Sequence, residues 1–154
     1  MLLFSDRHRG PLDAAPFSSS GEPSKAPRSL RIIVADDDRD MVLSLMMLLR
    51  DEGHDVQGFH SGRQVMRAVI DFNPDVAVLD INLPEVSGWQ LASTIRTRRM
   101  KDQPLLIGIS GVFTKGGDKV LAQINGFDHY LVKPYDPNAL LALLAPLRSP
   151  SADQ

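Results

Sequence analysis

Residues 76–79 read Val-Ala-Val-Leu and run directly into Asp80, with Pro74 before and Pro84 after. Successive side chains of an extended strand point to opposite faces, so an unbroken apolar run needs cover on both sides. The flanking prolines bound the run, because proline lacks a backbone donor and restricts the residue before it. The stretch therefore reads as a buried strand with Asp80 at its C-terminal end. A carboxylate there is either a cap for a turn or helix, or a reactive group aimed into a crevice.

The rest of the chain repeats this rhythm. Residues 30–35 form a first apolar strand that stops at Asp36, Asp37 and Asp38. Residues 55–59 are a second strand; 104–109 are a fourth, ending at Ser110 and Gly111; 128–132 are a fifth, ending at Lys133 and Pro134. Between them the composition predicts helices over 39–52, closed by Gly53, over 62–72, capped by Ser61 and stopped by Asn73, and over 88–99, capped by Ser87. A polar helix over 114–125 is stopped by Gly126, and Asp136 opens a last helix reaching about residue 147. Five strands alternating with helices predict an α/β fold with a parallel sheet covered on both faces and right-handed crossovers.

A parallel sheet gathers every strand's C-terminus on one edge, where α/β proteins bind their ligands. Here that edge carries Asp36, Asp37, Asp80, Ser110 and Lys133. If the first and third strands are neighbours, three carboxylates meet, and without a counter-charge at least one has its pKa raised. A divalent cation relieves this, and an all-oxygen set suits Mg²⁺, with Mn²⁺ an acceptable substitute. Lys133 is the second remedy. Metal, ammonium, hydroxyl and carboxylate together are apparatus for phosphoryl transfer, in which the carboxylate attacks phosphorus.

Composition excludes several classes. The 154 residues suffice for one domain with a real core. There is no cysteine, which removes disulfides, thiol catalysis and zinc-thiolate sites. A net charge of −2 offers no electrostatic footprint for nucleic acid or an anionic membrane. No apolar run approaches the roughly 20 residues that span a bilayer, and the apolar opening at 1–4 is too short for a signal peptide, so a cytoplasmic location is expected. Residues 1–28, with four prolines and a Ser18–Ser20 run, are expected to be a flexible arm, 29–148 the folded domain, and 149–154 a disordered tail.

These residues resemble the receiver domain of two-component response regulators, closest in impression to receivers of hybrid sensor histidine kinases. The matching segments are Ile32-Ile33-Val34-Ala35-Asp36-Asp37-Asp38, Val78-Leu79-Asp80-Ile81-Asn82-Leu83-Pro84 followed by Ser87-Gly88, Ile109-Ser110-Gly111, and Tyr130-Leu131-Val132-Lys133-Pro134. The resemblance covers about residues 30–148. It implies a flavodoxin-like (βα)5 fold, a doubly wound sandwich with strand order 2-1-3-4-5. It further implies that Asp80 is the phosphoacceptor, served by a histidine kinase or histidine phosphotransfer protein. Asp36, Asp37, Asp80 and the Asn82 carbonyl would hold Mg²⁺, while Ser110, Gly111 and Lys133 would bind the phosphoryl group. Ser110 and Tyr130 would form the switch, and the Lys133–Pro134 peptide would be cis. Such a protein accepts phosphate without being a conventional enzyme. Two rival functions use some of the same residues. An aspartyl phosphohydrolase would use Asp36 and Asp38 as an Asp-x-Asp pair but leaves Asp80 without a role. A pseudo-receiver, a binding module that never carries phosphate, does not need the complete set of acids, hydroxyl and lysine.

No output module is recognisable after residue 147, so output through protein contacts, or onward relay of phosphate, is expected. In the first helix the stripe Met41, Leu45, Leu48 is assigned to the core, leaving Val42, Leu43, Met46 and Met47 as a docking face for the kinase or phosphotransfer partner. The last helix carries no charge between Asp136 and Arg148, and its leucines, Leu140 and Leu144 among them, cannot all face the sheet. With the fourth helix and fifth strand they are expected to form a partner or homodimer surface. His8, His54, His60 and His129 show no ligand spacing and are read as ordinary, and Trp89 as packing.

Overall fold

The computed structural model describes residues 26–98, 102–111 and 126–149. In chain order the elements are β1 (Arg31–Ala35), α1 (Arg39–Asp51), β2 (Asp55–Phe59), α2 (Gly62–Phe72), β3 (Val76–Asp80), α3 (Gly88–Thr97), β4 (Leu105–Ser110), β5 (His129–Val132) and α4 (Pro137–Arg148). The five strands form one parallel sheet in the order β2-β1-β3-β4-β5. The helix expected over 114–125, part of the expected homodimer surface, lies outside the described residues, as do residues 1–25 of the arm and 150–154 of the tail. No helix among the described residues is long and apolar enough to cross a membrane.

The central strand behaves as its sequence demands. Every residue of β3 is buried. Val76 and Val78 enter a core with α1 and α4, while Ala77 and Leu79 enter the opposite core with α2 and α3. Helix starts are set locally. Asp38 accepts from the N–H groups of Asp40 and Met41, Ser61 caps α2, Ser87 and Gln90 form a reciprocal capping box, and Asp136 caps α4. Each such cap stabilises its helix by about 1 kcal/mol. Asn73, with φ of 51°, closes α2 in the left-handed conformation that asparagine tolerates.

Two helix faces differ from expectation. The core stripe of α1 is Val42, Leu45 and Leu49 rather than Met41, Leu45 and Leu48. The cause lies on the neighbouring strand. Gly58 of β2 lets α1 approach so closely that a Cβ there would stand 2.6 Å from a Val42 methyl and would also strike the Met46 sulfur. Val42 is thereby buried and is no docking residue, Met46 is half-buried, and Leu43 and Met47 stand 58% and 59% exposed. On α4, Leu140 and Leu144 are also fully buried, in one core cluster with Ile107 and Ile109 of β4. Four residues apart, they share the helix face turned to the sheet, so they form no partner surface.

Arg28, the last residue of the expected arm, is tied to the folded domain. The backbone N–H of Arg28 donates to the Arg148 carbonyl at 3.0 Å, and its guanidinium bonds Asp75 at 2.9 Å.

Candidate functional site

The strand order places β1 and β3 side by side, so their C-terminal acids meet. Asp36, Asp37 and Asp80 each offer an oxygen, and these oxygens lie within 4.8 Å of one another. Asp36 and Asp80 are buried, whereas Asp37 is exposed and opens the cluster to solvent. From the end of β5, Lys133 Nζ donates to Asp36 Oδ2 at 2.6 Å and lies 3.5 Å from Asp80 Oδ2. The remaining oxygens are held by the backbone: Asp36 Oδ1 accepts from Asp38 N–H and Asp80 Oδ1 from Asn82 N–H, both at 3.0 Å.

The lysine does not serve the two carboxylates equally. Burial acts to raise the pKa of Asp36, but the bonds from Lys133 and from Asp38 N–H outweigh it, and the net direction is down. Asp80 goes the other way. Burial, reinforced by the Asp36 charge, raises its pKa against the opposing pull of Asn82 N–H and Lys133. Burial works against the charge of Lys133, yet its two carboxylate neighbours raise its pKa overall, so the ammonium is retained. The set is all carboxylate oxygen, buried on one side and open on the other. Such donors fit a hard divalent cation that keeps some of its waters.

Ser110 ends β4 and is buried, and its carbonyl accepts from Lys133 N–H at 2.7 Å. Gly111 follows it. Among the described residues a Cβ there would meet only Lys133 Cδ, at 3.8 Å. The β4–β5 register pairs Ser110 with Val132 and Gly108 with Tyr130. The pleat therefore puts Ser110 and half-buried Tyr130 on the same sheet face, one step apart. The Lys133–Pro134 peptide is cis. Trp89 stacks edge-on against Phe127, with centroids 5.9 Å apart, as packing requires. Of the two acids an Asp-x-Asp pair would use, Asp38 caps α1 and Asp36 bonds Lys133.

Some site features escaped the sequence reading. Gly88 begins α3 so close to the acceptor strand that a Cβ would stand 2.6 Å from the Asp80 carbonyl oxygen. Tyr135 was also missed. With Met41, Ser44, Leu45, Leu48, Pro134 and Pro137 it lines an apolar groove of about 430 Å³ between α1 and the loop after β5. Burial and the charge of Asp36 raise the pKa of its phenol, which stays protonated. The cis peptide before it is what the resemblance implies, but the groove depends on how α1 packs.

Comparison with known proteins agrees with this geometry. The model of the response regulator receiver domain matches residues 32–145. The transcriptional regulatory protein TcrA of Mycobacterium tuberculosis is 32% identical over 118 residues, covering 77% of this chain and 46% of that protein. The DNA-binding response regulator MtrA of Mycolicibacterium paratuberculosis is 34% identical over 112 residues, covering 73% of this chain and 48% of that protein. The chain thus spans about half the length of the curated relatives it matches. Among solved structures, a signal receiver domain from Bermanella marisrubri superposes with a TM-score of 0.70 at 29% identity, covering 79% of this chain and all of that one. The chemotaxis response regulator CheY4 of Vibrio cholerae gives 0.71 at 22% identity, covering 78% and 99%, and supports the fold. With the acidic cluster, the lysine and the strand order agreeing with a matched span of 32–145, the chain belongs to the response regulator receiver domain family.

Proposed function

We propose that the protein is a phosphorylatable signalling switch in which Asp80 accepts a phosphoryl group from the phosphohistidine of a kinase or phosphotransfer protein. The observation that carries this reading is Lys133 Nζ set between Asp36 and Asp80, with Asp37 completing a carboxylate cluster. An Asp80 oxygen forms the new P–O bond as the P–N bond to imidazole breaks, and the leaving nitrogen keeps the electron pair. Asp36, Asp37, Asp80 and the Asn82 carbonyl would hold Mg²⁺. When bound, the cation neutralises phosphoryl oxygens and favours the ionised form of the carboxylates. Lys133 is positioned to follow a phosphoryl oxygen when Asp80 becomes an acyl phosphate. Ser110 donates its hydroxyl to another oxygen, and Tyr130, on the same face, responds to that movement. Gly111 leaves the approach beside Lys133 clear.

The partner docks on α1 beside the acidic edge, through exposed Leu43 and Met47, half-buried Met46 and the groove lined by Tyr135. Output runs through protein contacts or onward relay of phosphate. The relatives' names refer to DNA binding by those longer proteins; the proposal for these 154 residues rests on the α1 surface. Mg²⁺ and a small phosphodonor should produce an acid-stable, base-labile phosphate that Asp80→Asn abolishes. Steady hydrolysis of phosphate esters without a protein-bound phosphate would favour a hydrolase instead.

A further inference from the structure

The acidic residues come from two loops, one after β1 and one after β3, so their spacing depends on what holds the loops together. A third loop touches both. Between β2 and α2, His60 Nδ1 lies 3.2 Å from the backbone oxygen of Asp36. A carbonyl oxygen only accepts, so Nδ1 carries the proton. The preceding peptide, Ala35–Asp36, is held as well, since Asp36 N–H donates to the Phe59 carbonyl at 3.2 Å. Two residues on, Gly62 N–H donates to the Pro84 carbonyl at 3.2 Å. Gly62 sits so tightly against the β3–α3 loop that a Cβ there would collide with the Val86 carbonyl. The loop is itself pinned, because His60 N–H donates to Gln64 Oε1 at 3.0 Å.

We propose that the turn His60–Gly62 braces the two acid-bearing loops, and that His60 is a positioning residue for divalent-cation binding. Its ring orients the Asp36–Asp37 peptide and so aims the Asp37 side chain, the exposed member of the cluster. The inference rests on the reading of that cluster as a cation site. His60 acts on the backbone of the ligands and not on the cation.

The test measures Mg²⁺ affinity of the full chain by Trp89 fluorescence or calorimetry, with no phosphodonor present. His60→Phe keeps a ring but cannot donate, and it should weaken binding by roughly tenfold, the lower end for loss of a group supporting a metal ligand. His60→Asn places an amide N–H near the Nδ1 position and should stay within about twofold of the parent, on the same scale. Melting without Mg²⁺ checks that both variants are folded. Equal affinity of His60→Phe and the parent would overturn the proposal, as would His60→Asn being as weak as His60→Phe. The unaltered protein supplies an independent readout, since imidazole ¹⁵N shifts should report an Nδ1–H ring, and an Nε2–H ring would also overturn it. Failure of the parent itself to bind Mg²⁺ would instead count against the cation site, while the ring tautomer would still test the brace.

Discussion

Asp36 and Asp80 are the same side chain held in different states. Burial pushes both pKa values up, and Lys133, 2.6 Å from Asp36 and 3.5 Å from Asp80, helps overcome it only at Asp36, so the first is lowered and the second raised. The sequence presents the acids and the lysine at strand ends but does not tell which carboxylate owns the lysine, because that depends on sub-ångström packing. His54 teaches a similar lesson. Its spacing marks it as ordinary, yet it is buried, its Nδ1 accepts from Leu30 N–H at 3.1 Å, and its Nε2 meets no hydrogen-bond partner among the described residues. Burial first, then nearby Arg148, lowers its pKa against the weaker pull of Glu52. The unfolded chain therefore binds more protons just below its ordinary value of 6.5. The stability due to neutral His54 is complete above that value and is lost as pH falls through it toward the depressed folded value. In denaturant titrations from neutral to mildly acidic pH, His54→Asn should keep an acceptor for Leu30 and show a shallower loss of stability than the parent. Identical pH slopes would show that His54 does not titrate on unfolding.

At the scale of elements, local chemistry was readable and packing direction was not. Asp38, Ser61, Ser87 and Asp136 cap their helices because a side-chain oxygen needs only the next turn's N–H groups. Helix α1 is different. Residues 41–49 are apolar except Ser44, so helical periodicity cannot select a face. The selection is made by Gly58, on another element, which draws in Val42 and leaves Leu43 and Met47 outside. The consequence is a contrast between two charge insertions. Val42→Asp should destabilise the fold by roughly 3–5 kcal/mol, as an uncompensated buried charge does. Met47→Asp should leave melting and small-donor phosphorylation unchanged, but slow transfer from a competent kinase or phosphotransfer protein by about tenfold, the size of a lost interface anchor. Undiminished transfer to Met47→Asp would remove α1 from the docking surface.

At the scale of the whole molecule, the parallel sheet converts scattered acids into one site. Alternation of strands and helices was visible in the sequence, and parallel strands necessarily share a C-terminal edge. Adjacency of β1 and β3 was legible only through resemblance, since no local signal sets strand order. The opposite end of the molecule was not legible. There Arg148 donates to the Glu52 carbonyl at 2.8 Å while its own carbonyl accepts from Arg28 N–H, linking residues 96 and 120 positions apart. Such contacts follow from the finished fold and leave no trace in spacing. The fold's functional claim is that strand ends converge to make one carboxylate the acceptor. It is tested most directly by phosphorylating the protein with Mg²⁺ and a small phosphodonor, reducing the acyl phosphate with borohydride, and locating the resulting homoserine by peptide mass spectrometry. The account predicts homoserine at position 80 alone; homoserine at position 36, 37 or 38, or at none of these, would contradict it.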